Sequence, residues 1–342
     1  MRSTLVAVLV CLSAYAGDLT VGSASAPPGA KATGFIEVPA GSDAALNIPV
    51  IVVNGAKPGP VLALIAGAQG TEYAPIIALQ KLAQSADPAL ISGSLVIVPL
   101  VNPASFQQKV PLNPVDGKNM NRYYPGKPDG TETERAAWAI AKQVVEKCDY
   151  LIDYHSGDLN GNIRRYSYWT DTGDASRDRI TRAMVLAFGL DHIVIRKPTP
   201  PGGPVTVSQH ARDLGKAAII EYAGHSGTTE ASDVNALVEG TANVMRYLKM
   251  LSGTAKPVEH PLWIGNLSTL IAREDGIFYP LVVPEAFVSQ GMTIGYVTDY
   301  FGAKIRDIPS PVSGVVLYIG VSPSMKKGDV LGYIGEIAEE PR

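Results

Sequence analysis

The sequence predicts an α/β protein: a mainly parallel or mixed sheet flanked by helices, followed by a small all-β domain. Three observations predict it. Short, continuous apolar runs alternate with amphipathic helical stretches up to about residue 256. Beyond residue 257 the helical periodicity stops and β-rich segments recur between Gly and Pro turns. Glycine (34) and proline (26) supply about 18% of the 342 residues, above the roughly 12% of average chains, which favours a loop-rich architecture over a helical bundle. With 46% hydrophobic and 18% charged residues the chain can bury a large core and is not globally disordered. The formal charge is −3 and no run of Lys and Arg occurs, so an electrostatic nucleic-acid binder is excluded.

Each element has its own justification. Arg2, the apolar run at 5–12 (LVAVLVCL) and Ala14-Tyr15-Ala16 form, in order, a secretory signal peptide over residues 1–16. The chain is therefore expected to be exported, to the periplasm or beyond. The apolar run falls well short of the roughly 20 residues of a membrane span. Val10 precedes Cys11 where a lipid-attachment site wants a small residue. Cleavage would leave Cys148 as the sole cysteine, with no internal disulfide; its apolar flanks make it a buried small hydrophobe.

Residues 17–34 are small and Pro/Gly-rich and read as a flexible leader. An α/β domain is expected over 35–256 and a β-rich C-terminal domain over 257–342. Buried strands are predicted at 61–66 (VLALIA), 94–101 (SLVIVPLV), 149–154 (DYLIDY) and 217–222 (AAIIEY). Helices are predicted at 75–83, at 131–147 with Thr133 as N-cap, and at 233–251. The aromatic stretch 164–169 reads first as a strand and second as the lining of a substrate cleft, and 197–205 (KPTPPGGPV) as a loop with Gly202-Gly203 as its flexible point. The C-terminal domain is expected to cap the structure or to carry a contact between copies of the chain.

The four strands deliver polar groups at one edge, where open parallel sheets bind ligands. The first runs into Gln69 and Glu72, the second into Asn102, the third into His155, and the fourth holds Glu221 near its end. Two ligands three residues apart in a Gly-flanked loop, with a distant histidine, can hold a metal and leave a position open for water. Such a water loses its proton near neutrality and becomes a nucleophile. Glu221, at the end of an apolar strand, is expected to be partly desolvated, which raises a carboxylate pKa. Of the remaining histidines (192, 210, 225 and 260), only His225 lies near a site element, and it reads as a loop hydrogen-bonder.

The segments AGAQGTE, VNPASF, DGKNMNRYYPG, TETERAAWAI, CDYLIDYHSG and IIEYAG, in this order over about residues 45–250, resemble the succinylglutamate desuccinylase/aspartoacylase family of zinc carboxypeptidase-like enzymes. The resemblance implies zinc held by Glu72 and His155, with Gln69 standing where the family has its first ligand histidine. It also implies Glu221 as general base and acid, and Asn121 and Arg122 as holders of a substrate carboxylate. An arginine fork suits that task because it donates two parallel hydrogen bonds. Gln69 offers only a neutral amide oxygen, so the zinc site is expected to be weakened. The implied function is metal-dependent hydrolysis of an amide, in an N-acyl amino acid or peptide-like compound, or of an ester, in a small carboxylated substrate. The alternative is a degenerate member that binds a carboxylated ligand without turnover.

Overall fold

The computed structural model describes residues 17–341. Residues 1–16, read above as a signal peptide and including Arg2 and Cys11, lie outside the described residues. No described helix is long and apolar enough to cross a membrane.

The frame is a mixed sheet of 13 strands. At its centre Ser92–Val98, Lys57–Ile65, Tyr150–His155 and Ala217–Tyr222 lie side by side in parallel. These are the four apolar runs read from the sequence, and both of their faces are covered. Leu62, Leu64, Leu95, Ile97, Ile152, Tyr154 and Ile219 pack beneath the helices Tyr73–Ser85, Ala175–Phe188 and Ala231–Tyr247. Val61, Ala63, Ile65, Val96, Val98, Leu151 and Ala218 pack beneath Glu132–Gln143 and Val207–Asp213. Alternate residues of one strand thus enter different cores, as the two-residue period of a strand requires.

Two expectations are corrected and two helices are added. Residues 17–34 form no flexible leader: Leu19–Val21 pairs with Ala24–Ala26, and Ala30–Val38 forms the edge strand of the large sheet. The small side chains that made the segment look like a linker are what fit there; Ala24 and Ala26 are buried with Leu19 and Val21 in the core. The helix expected at 131–147 begins at Glu132 with Thr131 as N-cap, not Thr133. Glu134 Oε2 accepts from the Thr131 backbone N–H at 3.0 Å, as in a capping box, while the Thr133 hydroxyl donates to Asp116. The helices Ala175–Phe188 and Val207–Asp213 went unread, the first behind its four charged residues and the second behind the Pro/Gly segment before it.

The β-rich C-terminal part continues the large sheet. Leu262–Ile271 pairs in parallel with His192–Arg196, then Val330–Ile337 and Gly314–Gly320 follow antiparallel. A separate four-stranded sheet, including Gly276–Pro280 and Thr293–Thr298, closes over its own core of Phe278, Ile294, Val297 and Leu331.

Candidate active site

The carboxyl ends of three of the parallel strands, Lys57–Ile65, Tyr150–His155 and Ala217–Tyr222, open into a cavity of about 740 Å³. Its chemistry begins with the turn after Lys57–Ile65. Gly67 adopts φ +71°, a left-handed conformation that favours glycine. At Gly70 a Cβ would stand 2.1 Å from the Phe106 backbone nitrogen, so only glycine lets the turn lie against the helix Pro103–Gln108. Asn102 is spent on that helix, where its side chain accepts from the Ser105 N–H as N-cap. The turn delivers Glu72 to the cavity wall.

Tyr150–His155 supplies the partner. Asp153 and His155, two apart, share one face, and His155 lies between two carboxylates. Its Nδ1 is 2.8 Å from Glu72 Oε2 and its Nε2 is 3.2 Å from Asp153 Oδ1, all three side chains being buried. Burial alone would push the imidazole pKa down; Asp153 and Glu72 overrule it and hold it up at about 10. Asn121 completes the group. The Val207 N–H donates to Asn121 Oδ1 at 2.8 Å, which fixes the amide so that its NH₂ faces Asp153 Oδ2 at 3.2 Å and His155 Nε2 at 3.0 Å.

The sequence-read residues therefore divide. Glu72, His155 and Arg122 come together at the cavity. Asn121 also borders it, but both ends of its amide are committed within the protein, so it positions Asp153 and His155 instead of offering substrate a free hydrogen bond. Arg122 donates to the Asn121 carbonyl at 2.6 Å and has no carboxylate partner among the described residues. Gln69 lies behind the cavity wall: its Nε2 donates to Asn119 Oδ1 at 3.0 Å, and its Oε1 is buried without a hydrogen-bond partner among the described residues.

Glu221 does not reach the cavity. It pairs in register with Tyr154, one residue before His155, and so projects to the opposite face of the sheet. It is fully buried and accepts from Ser167 Oγ at 2.5 Å; burial raises its carboxyl far above the ordinary range. The side chain its strand sends to the cavity is Tyr222, which stacks on His155 with ring centroids 5.0 Å apart.

Tyr166 and Tyr168 belong to the 164–169 stretch that could also line a cleft, whereas Arg196, Asp158, Tyr318 and Tyr333 were not singled out from the sequence. Tyr166 stacks on Tyr222 at 4.8 Å as its cross-strand partner. Arg196 sits over the Tyr168 ring at 4.8 Å. Asp158 lines the cavity three residues after His155, and Tyr318 and Tyr333 enter from the C-terminal part. The i, i+2 spacing of Asp153 and His155 was a readable signal, whereas the C-terminal tyrosines had none.

The donor set suits a divalent ion in part of its chemistry. Glu72 Oε2 and His155 Nδ1 stand 2.8 Å apart, the distance of a hydrogen bond; holding one ion at bonds of roughly 2 Å would spread them to roughly 3.3 Å. Asp153 behind Nε2 is the carboxylate that commonly orients a ligand imidazole. Gln69 is absent from the cavity lining, and its unpartnered amide oxygen would in any case be a weaker donor than an imidazole.

The model of the succinylglutamate desuccinylase/aspartoacylase catalytic domain matches residues 58–248, more than half of the chain. The chain belongs to this family. An N-alpha-acetyl-L-2,4-diaminobutyric acid deacetylase from Halomonas elongata is 26% identical over 316 residues, covering 90% of this chain and 92% of that protein. The fold is shared with a succinylglutamate desuccinylase/aspartoacylase from Rhodobacter sphaeroides (TM-score 0.82, 23% identity, 91% and 96% of the two chains). It is shared equally with the product-bound ectoine utilization protein EutE (DoeB) from Ruegeria pomeroyi (TM-score 0.83, 22% identity, 92% and 98%). The mixed sheet and the C-terminal strands are thus those of a family of deacylases.

Proposed function

We propose that this chain is an exported deacylase that hydrolyses the amide bond of a small N-acyl amino acid bearing a free carboxylate. The observation that carries the reading is the Glu72–His155 pair, 2.8 Å apart, facing a cavity that also holds a guanidinium without a carboxylate partner. Membership of a deacylase family and the name of the Halomonas relative support the reaction class. Export rests on the signal-like residues 1–16.

Arg122 takes the substrate carboxylate through two parallel N–H bonds and so places the scissile carbonyl at the Glu72–His155 end. Asn121 and Asp153 fix the His155 ring. Tyr166, Tyr168 and Tyr222 give the acyl group an apolar wall and exclude water. With Glu221 sealed on the other face, Asp158 is the cavity carboxylate outside the Glu72–His155 pair, placed to move a proton between water and the leaving amine. Zinc, held by Glu72 and His155, would supply polarisation of the carbonyl and activation of water.

The test is release of free amine from a panel of N-acyl amino acids by the purified protein, with and without added zinc. Arg122→Ala should lower kcat/KM by roughly 10- to 100-fold, the worth of a charged hydrogen-bonded pair, and Arg122→Lys should not restore it. A second reading, binding without turnover, is favoured by the single amide at position 69. It predicts that panel members raise the melting temperature while no amine is released.

A further inference from the structure

We propose that His225, Glu230 and Asp233 form a second divalent-cation site, separate from the Glu72–His155 pair and independent of the deacylase reading. One ligand atom from each of the three lies within 4.8 Å of the other two, the one such His/Cys/Asp/Glu group of three among the described residues. His225 sits in the loop between the strand Ala217–Tyr222 and the helix Ala231–Tyr247; Glu230 and Asp233 flank the start of that helix.

A cluster of acids alone would mean little, but Asp233 adds an independent observation. Its side chain is only 5% exposed, and Oδ1 accepts from Arg165 Nε at 2.6 Å. Its Oδ2 is buried without a hydrogen-bond partner among the described residues. A buried carboxylate oxygen left unpaired is costly and calls for a ligand. The Glu230 carboxylate makes no capping bond to its own helix, and its Oε1 stands 3.6 Å from His225 Nε2, too far for a good hydrogen bond. A hydrogen-bonded His225–Glu230 pair would leave Asp233 Oδ2 as it is, whereas a shared cation engages all three.

The chemistry fits a divalent ion. Two carboxylates and one Arg165 guanidinium sum to −1 with neutral imidazole, so a dication leaves the group near balance. Ligand atoms around one ion stand roughly 3–4 Å apart at bonds of about 2 Å. The half-exposed His225 and the exposed Glu230 can close that gap. One imidazole with two carboxylates selects a first-row ion, zinc or manganese, over a purely oxygen-seeking one.

Such an ion would fasten the loop to its helix. The same loop is stitched to segment 156–161 by Gly157 N–H to Gly224 O (2.8 Å) and Ser226 N–H to Gly161 O (2.7 Å). That segment carries Asp158, so cation binding should stiffen one rim of the cavity.

The experiment is equilibrium dialysis of the full chain against micromolar Zn²⁺, with hydrogen exchange of residues 223–233 as a second readout. In a Glu72→Gln background one zinc should remain bound and slow that exchange. Adding His225→Ala, a partly exposed change that spares the Arg165–Asp233 pair, should weaken uptake at least about tenfold and abolish the slowing. No zinc bound to Glu72→Gln, or equal uptake with and without His225, would overturn the site.

Discussion

His155 and Glu221 close two neighbouring parallel strands, one register step apart, yet they inhabit opposite sides of the sheet. On one side Glu72 and Asp153 flank His155 and hold its imidazole up at about 10, and the group borders open space. On the other, Glu221 is shut in with Tyr154 and Ser167, and burial holds it as a neutral acid. The depth of burial is similar. What differs is the partner: two carboxylates face a base on one side, and one hydroxyl faces an acid on the other. A charge-bearing residue at a strand end is therefore not enough to make a site; the face decides.

The comparison can be broken from its charged side. His155→Ala leaves Glu72 and Asp153 buried without their shared partner and should cost about 3–5 kcal/mol in urea unfolding, the toll of stranding a buried charge. A loss below 1 kcal/mol would mean that the cluster is not ionised. Next in size, Gln69→His tests whether position 69 can bring a second imidazole to the pair. Zinc affinity by dialysis should rise by at least the roughly 10- to 100-fold that even an outer-shell partner is worth; unchanged affinity would mean that position 69 does not face His155.

A smaller effect comes from a charged cluster at the surface. Asp191 is held down at about 2 by its hydrogen bond to His192 and by Arg164. A depressed carboxylate contributes stability above its unfolded value near 3.8, and the contribution disappears as pH falls through 2. Being half-exposed, the group is worth no more than about 1 kcal/mol. Wild type and Asp191→Asn should differ by that much at pH 5 and converge near pH 2 in chemical denaturation.

The smallest change sharpens the sealed side. Glu221→Gln keeps the acceptor for Ser167 and replaces a neutral acid by a neutral amide, so unfolding and amine release should both stay within about 1 kcal/mol of wild type. A collapse of turnover with an intact fold would return Glu221 to the reaction.

These contrasts show what could be read from the chain and why the rest was hidden. The four parallel strands were legible because both of their faces are apolar. That same property erased the signal for orientation: in AAIIEY nothing marks which side Glu221 takes, since alternation carries information only when one face is polar. Glu72, His155 and Arg122 were legible because Gly-bounded turns and strand ends announce themselves. Asn121 was read as a substrate contact because its commitment to Asp153 and the Val207 N–H depends on long-range packing. The segment 17–34 was misread because small residues look alike in a tether and in a tightly packed sheet edge.

Tyr318 and Tyr333 reach the cavity from strands more than 150 residues beyond His155. Part of the cavity wall is thereby encoded far from the Glu72–His155 pair, in the last quarter of the gene. Variation in the last quarter can retune which molecules enter without touching the groups that act on them, while truncation there would unroof the reaction chamber.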